Sequence, residues 1–157
     1  DLTELRESAA LSEAHMLMRA RKLDEAAKAY AGFAVRFAHS PLRAQALYQQ
    51  GLCLKKRDFA NEAAAVFEDL ADKHPASAYA ADAHLQLGQL YTELGSSDLA
   101  LGHYRLMAKT SDAQDAEREA LLLMAQVHYN KKNWAKAVPL YRHYLKGAAP
   151  GAKTKEV

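Results

Sequence analysis

Residues 46–75, ALYQQGLCLKKRDFANEAAAVFEDLADKHP, decide the fold because their spacing of small and aromatic residues recurs on both sides. The stretch is predicted to form one antiparallel helix pair. Its markers Gly51, Ala63 and Phe67 each have a counterpart at shifts of 37 residues in both directions. The three series are Ala14, Gly51, Gly88 and Ala125; Ala26, Ala63, Ala100 and Ala137; and Tyr30, Phe67, Tyr104 and Tyr141. A fixed period of about 20 to 50 residues predicts a solenoid of stacked units.

Length and composition agree with an all-helical repeat domain. Four copies of 37 residues account for nearly all of the 157-residue chain. Half of the residues are hydrophobic but only 8% are aromatic, which suits closely packed helices. No apolar run is long enough to span a membrane, and the N-terminal sequence DLTELRESAA has no signal-peptide pattern. Because the sequence lacks an initiator Met, we expect it to be a fragment.

The copies are predicted as four helix pairs, about eight helices in all. We expect Thr3 or Asp1 to cap the first helix, and Ser40 to cap the second copy with Pro41 at its first helical position. The fourth copy is predicted to begin near Asp112 or Asp115. The predicted ranges are about 3–39, 40–76, 77–113 and 114–147 within a single domain 1–147, followed by an irregular tail at 148–157.

Two further expectations concern packing inside these pairs. Gly51 and Gly88 are predicted to lie where the two helices of one pair approach most closely. The aromatic series that includes Phe67 is expected to fill the gap between one pair and the next. Pro139 lies inside the last predicted helix, and we expect it to bend that helix without ending it.

Charge is unevenly distributed along the chain. Residues 1–57 hold ten Lys or Arg against six Asp or Glu, residues 58–120 hold four against twelve, and residues 121–157 hold seven against one. This pattern could orient a charged protein partner, or it could reflect ordinary solvated helix faces. Nucleic acid is not the expected partner, because the basic residues are scattered and the aromatic residues fall at packing positions.

No catalytic, metal or cofactor site is predicted. Cys53 is the single cysteine, which excludes a disulfide framework and a cysteine-based metal site, and we expect a buried, unreactive thiol. Of the seven histidines, His15, His84 and His128 lie on different copies, and no metal-binding histidine pair shares a helix face. The chain has no GxSxG motif and no phosphate-binding glycine loop. We therefore predict a protein that is not an enzyme.

The repeat resembles the tetratricopeptide repeat, whose usual period is about 34 residues. Here the period is three residues longer, and Ala14 and Ala125 replace the glycine in the outer copies. The longer form is similar to the repeats of bacterial cell-envelope proteins such as the Tol-Pal coordinator and the lipoprotein subunit of the outer-membrane protein assembly machine. The matching residues are Leu87, Gly88, Tyr91, Ala100 and Tyr104 in one copy and Gly51, Ala63, Phe67 and Pro75 in the copy before it.

The resemblance implies a right-handed superhelical solenoid that acts as an adaptor for a protein or peptide ligand. The ligand would lie in a concave groove lined by the first helix of each pair, and the periplasm would be favoured over the cytoplasm. The lysine and asparagine clamp of the chaperone-tail-binding members is absent. The groove positions carried over are Leu11, His15 and Met18; Tyr48, Gln49, Leu52 and Lys55; Leu85, Gln86, Gln89 and Thr92; and Leu122, Leu123, Gln126 and Tyr129.

The alternative is a structural module that forms homo-oligomers, such as a homodimer, through its ends. Trp134, Tyr141 and Tyr144 lie on the final predicted helix, and no amphipathic helix follows to cover them. Such an end face usually needs a cap, a neighbour or a further segment.

Overall fold

A computed structural model describes residues 2–111 and 115–146. These residues form eight α-helices and no strands. The predicted cap at Asp1, the predicted start at Asp112 and the tail 148–157 lie outside the described residues. The helices are α1 (Leu2–Arg19), α2 (Leu23–Arg36), α3 (Arg43–Lys56), α4 (Ala60–Lys73), α5 (Ala80–Glu93), α6 (Ser97–Thr110), α7 (Ala116–Asn130) and α8 (Trp134–Lys146).

The helix starts follow the sequence period, and the predicted all-helical solenoid is confirmed. The second helices of the four pairs begin at residues 23, 60, 97 and 134, which are 37 residues apart. Among the first helices, α3 and α5 keep the same spacing, whereas α7 begins one residue early. Pro139 lies inside the continuous helix α8. The exact limits of the repeats and of the domain stay a prediction.

Three hydrophobic clusters form the core, and each joins neighbouring helix pairs. One cluster joins the first pair to α3 through Tyr30, Phe33 and Cys53. The central cluster joins α2 and α3 to α4 and α5, and the last joins α6 to α7 and α8. Fully burying one large apolar side chain contributes about 1.5–3 kcal/mol, so the stack gains most of its stability from these shared clusters. The largest fully buried side chains are Tyr30, Phe67, Leu70, Leu87, Leu90 and Cys53.

The glycines mark the closest approach within a pair, as predicted. A Cβ on Gly51 would lie 2.6 Å from the Phe67 ring, and one on Gly88 would lie 2.4 Å from the Tyr104 ring. The Phe67 and Tyr104 rings therefore each cover the glycine of their own pair. They also reach the next pair, as expected, since Phe67 and Tyr104 lie in core clusters with residues of α5 and α7.

Each first helix ends in the same left-handed turn. Arg21, Asp58, Gly95 and Lys132 have φ values of 60°, 61°, 76° and 57°, and they are 37 residues apart. In the second turn the Asp58 N–H donates to the Lys55 carbonyl, and the Phe59 N–H donates to the Leu54 carbonyl, both at 3.1 Å. This pair of bonds is a Schellman motif, which satisfies the last carbonyls of the helix. The motif sets the tight turn between the helices of every pair.

Ser40 does not cap α3, so that expectation was wrong. Helix α3 begins at Arg43, and the Ser40 hydroxyl accepts a bond of 3.1 Å from the Leu42 N–H in the turn before it. The same hydroxyl donates to Glu7 Oε2 at 2.7 Å. Ser40 therefore ties the loop between the first two pairs to α1.

Candidate partner-binding surface

A lysine joins the first helices of the second and third pairs on the predicted groove. Lys55 Nζ on α3 donates to Gln86 Oε1 at 2.9 Å and to Gln89 Oε1 at 2.8 Å on α5. Burial lowers the pKa of Lys55, while the charge of Glu93 opposes that shift. Because both amide oxygens face the ammonium group, both amide NH₂ groups are turned away from it.

Tyr48 extends this arrangement along α3. Its ring packs 5.8 Å from Phe67 and 5.4 Å from Tyr79, measured between ring centroids. Burial and the charge of Asp82 raise the pKa of Tyr48, and a hydrogen bond from Gln86 opposes them. Tyr48, Lys55, Gln86 and Gln89 therefore form one connected set, which we call the groove network.

The predicted groove residues of the first repeat pack mainly within their own pair. The His15 ring lies edge-on to Tyr30 at 5.6 Å, and Met18 Sδ lies 4.0 Å from Tyr30 Oη. Leu11 is only 6% exposed and belongs to the core, so its predicted role in the groove was wrong. Helical spacing alone did not show that this leucine turns toward α2.

The other predicted positions differ in their accessibility. Leu52, Leu85 and Leu123 are partly buried against core clusters. The Thr92 hydroxyl donates to the Gly88 carbonyl of its own helix at 2.7 Å and lies 3.3 Å from the Tyr104 hydroxyl of α6, so Thr92 packs within its pair. The half-exposed or exposed positions among the remainder are Gln49, Leu122, Gln126 and Tyr129.

An aromatic pair joins the predicted groove to the predicted end face. The rings of Tyr129 on α7 and Trp134 on α8 meet edge-to-face at 5.0 Å, and both side chains are about half exposed. This contact brings together two residues that the sequence assigned to different surfaces. The predicted groove therefore has a polar centre, formed by the groove network, and an aromatic end in the fourth repeat.

The exposed residues of the end face differ in part from those predicted. Tyr144 is partly buried: it packs against the last core cluster and lies 5.1 Å beneath the Arg118 guanidinium. Tyr141 is half-buried. Val138 and Leu145, which the sequence analysis missed, are 43% and 65% exposed. Their spacing from Trp134 along one helical face was the signal that could have identified them.

The third pair contains a histidine contact that the sequence did not reveal. His84 Nδ1 on α5 lies 3.2 Å from His103 Nδ1 on α6. Burial is the main cause of the lowered pKa of both residues. In the other copies the equivalent pairs are apolar: Ala10 with Ala29, Leu47 with Val66, and Leu121 with Leu140.

Residues 2–111 and 115–146 contain no group of three or more His, Cys, Asp or Glu that could hold a metal ion. Cys53 is fully buried, and burial raises the pKa of its thiol, which disfavours the reactive thiolate. None of the eight helices in these ranges is long and apolar enough to cross a membrane.

The fold and this surface define a helical repeat protein, and comparisons identify its family. The tetratricopeptide repeat profile matches residues 11–78 and 54–116, and a second profile of that repeat matches residues 119–146. A crystal structure of a tetratricopeptide repeat protein from Parabacteroides merdae ATCC 43184 has a similar fold, with a TM-score of 0.77 and 16% identity. The match covers 93% of this chain and 55% of that one. No curated protein matches this sequence.

The chain belongs to the tetratricopeptide repeat family. Repeats of this family generally mediate protein–protein interactions, and proteins built from them are typically scaffolds without enzymatic activity. A protein partner is therefore the class of ligand that the family indicates.

Proposed function

We propose that this protein is a non-enzymatic adaptor that binds an extended segment of a partner protein across its first helices. The observation that carries the proposal is the groove network, in which Lys55 bridges α3 to both glutamines of α5. A polar network that spans two repeats orders several hydrogen-bonding groups before a ligand arrives. Such order lowers the entropic cost of binding.

The chemistry of the network favours a ligand rich in hydrogen-bond acceptors. Lys55 has three N–H donors, and two of them are directed at Gln86 and Gln89. The amide NH₂ groups of the two glutamines turn away from that lysine, and Gln86 also hydrogen-bonds Tyr48. Backbone carbonyls of an extended peptide, or a carboxylate side chain, match such donors.

The aromatic end of the surface supports a second contact. Tyr129 and Trp134 are half-exposed and pack edge-to-face. Aromatic side chains supply a large apolar area at low conformational cost, which is why they are enriched at interaction sites. We propose that an apolar side chain of the peptide packs here while its backbone meets the groove network.

The test is selection from a random peptide library, followed by affinity measurement with a groove variant. The variant carries Lys55→Ala, Gln86→Ala and Gln89→Ala. The matched control carries Lys28→Ala, Glu62→Ala and Lys109→Ala, which are exposed positions on second helices. We expect the groove variant to bind selected peptides at least ~10-fold more weakly, because this corresponds to about 1.4 kcal/mol. Equal binding by the wild type and the groove variant would refute the proposal, provided that circular dichroism shows both to be folded.

We propose a bacterial envelope complex as the setting, on the resemblance of the long repeats alone. Fractionation of cells that express the tagged full-length protein tests this setting. Recovery in the periplasmic or membrane fraction is the expected result, and recovery in the cytosol contradicts it. Nucleic acid remains outside the proposal because the basic residues are scattered along the sequence.

A second candidate function is homo-oligomerisation through the ends of the solenoid. It is favoured by the apolar exposure on α8, where Trp134 is 51% and Leu145 is 65% exposed. A monodisperse monomer at high concentration would contradict this candidate without affecting the groove.

A further inference from the structure

The solenoid uses one interface three times to join successive pairs, and the period of 37 residues identifies its equivalent positions. On the first helices, two positions of this interface are buried in the second, third and fourth copies. The buried residues at the first position are Ala46, Ala83 and Ala120, and those at the second are Cys53, Leu90 and Val127. They lie in clusters with residues of the preceding second helix.

The second helices supply the opposite half of the same interface. One position is held by Ala27, Ala64 and Leu101, which are 9%, 5% and 7% exposed. Another is held by Ala34 and Ala71, which are also buried. The core clusters place Ala27, Ala34, Ala64 and Leu101 with residues of the first helix of the following pair.

Within the described residues, the first and last helices leave the equivalent positions exposed. On α1 the equivalents of the first-helix positions are Ala9, which is exposed, and Met16, which is 64% exposed. Leu5, the equivalent of the part-buried Leu42, is 67% exposed. On α8 the equivalents of the second-helix positions are Val138 and Leu145, which are 43% and 65% exposed.

We infer that the exposed faces of α1 and α8 are the two complementary halves of this interface, and that a second copy of the chain covers them head to tail. Helix α8 of one copy would pack against α1 of the next copy, as α2 packs against α3 within a chain. This inference specifies the second candidate function and does not depend on peptide binding in the groove. Because the two faces differ, the contact is heterologous and adds copies one after another.

The charges of the two helices favour this pairing. Helix α8 contains Lys136, Arg142 and Lys146 and no acidic residue, whereas α1 contains three Glu against two Arg. Glu13 is exposed on α1, at the position equivalent to the buried core residue Leu87. Its carboxylate would meet the basic α8 in the assembly. Opposite charge raises the association rate and makes it sensitive to salt.

Two blocked variants and a matched control test the inference. The first variant, Leu5→Glu with Met16→Glu, blocks the α1 face, and the second, Val138→Glu with Leu145→Glu, blocks the α8 face. The control, Val35→Glu with Leu99→Glu, places the same charge at sites that are 80% and 51% exposed on second helices. Light scattering gives the molar mass of each protein from micromolar to millimolar concentration, and circular dichroism checks that each is folded.

The wild type and the control are expected to exceed the monomer mass of 17.3 kDa as concentration rises, while each blocked variant stays at that mass. An equimolar mixture of the two blocked variants is expected to reach about twice the monomer mass, because each supplies the face that the other lacks. Three results would overturn the inference: a wild-type monomer throughout, a dimer that survives the α1 block, or a mixture that stays monomeric. Failure here leaves the peptide-selection result for the groove unaffected.

Discussion

Gly88 lies beneath the ring of Tyr104, and a Cβ added to Gly88 would be 2.4 Å from the ring atom Cε1. Gly51 has the same relation to Phe67 at 2.6 Å, whereas no atom of residues 2–111 or 115–146 lies within 4 Å of a Cβ added to Gly32 or Gly102. The four glycines therefore divide into two that packing requires and two that it does not.

Replacing these four glycines by alanine is predicted to change the free energy of unfolding in opposite directions. Gly51→Ala and Gly88→Ala should each lower the free energy of unfolding by about 1–3 kcal/mol, because the ring must move out of a packed core. Gly32→Ala and Gly102→Ala should each raise it by about 0.5–1 kcal/mol, because alanine loses less backbone entropy in a helix. Urea denaturation measures all four, and a shift of the same sign in every variant would disprove the packing account.

The left-handed turns predict a second set of stability changes. Gly95→Ala should destabilise the protein by about 1–2 kcal/mol, because a Cβ is strained at its φ of 76°. Lys132→Gly, which relieves that strain at the equivalent turn, should stabilise it by about 1 kcal/mol or less, since glycine loses more entropy on folding. Thermal denaturation compares the two variants. The turn assignment would fail if Lys132→Gly were as harmful as Gly95→Ala.

Two equivalent serines predict a third contrast. Ser40 donates to Glu7 Oε2 at 2.7 Å, whereas Ser77, at the same position of the next repeat, has a buried hydroxyl with no hydrogen-bond partner among the described residues. Ser40→Ala should cost about 1 kcal/mol of stability, while Ser77→Ala should be neutral or stabilising by about 1 kcal/mol. Chemical denaturation of both variants is the measurement. Equal destabilisation would contradict the assigned hydrogen bonding.

The histidine pair predicts a dependence of stability on pH. Burial lowers the pKa of His84 and His103 from the ordinary value of 6.5, and the charge of His103 lowers that of His84 further. The nearby Asp72 opposes both shifts, and Glu68 also opposes that of His103. The unfolded chain therefore takes up protons first, and the stability present above pH 6.5 is lost as the pH falls toward the lowered values.

Replacing the pair by the residues of the second repeat tests this account. His84→Leu with His103→Val introduces the pairing of Leu47 with Val66. The variant should lose less stability than the wild type between neutral and mildly acidic pH. His74 and His128, whose pKa values are also lowered, retain part of the dependence in both proteins. Identical pH profiles from chemical denaturation would show that the pair does not contribute.

The sequence by itself determined the repeat, the helix pairs and the family. Local periodicity is sufficient for these features, since small and aromatic residues at a shift of 37 fix which faces pack. It also placed Gly51 and Gly88 at the closest approach and kept Pro139 within α8. Each of these features depends on neighbours along one helix or on an exact repeat of them.

Only the tertiary structure decided which side chains of a face remain accessible. Leu11 has a helical position that suits an exposed face, yet it turns into the core, and Tyr144 is partly buried against the last core cluster. The bond from Lys55 to Gln86 joins residues 31 apart, and the contact of His84 with His103 joins residues 19 apart. Side-chain direction and the tilt between helices set such contacts, and neither is encoded in the spacing of one repeat.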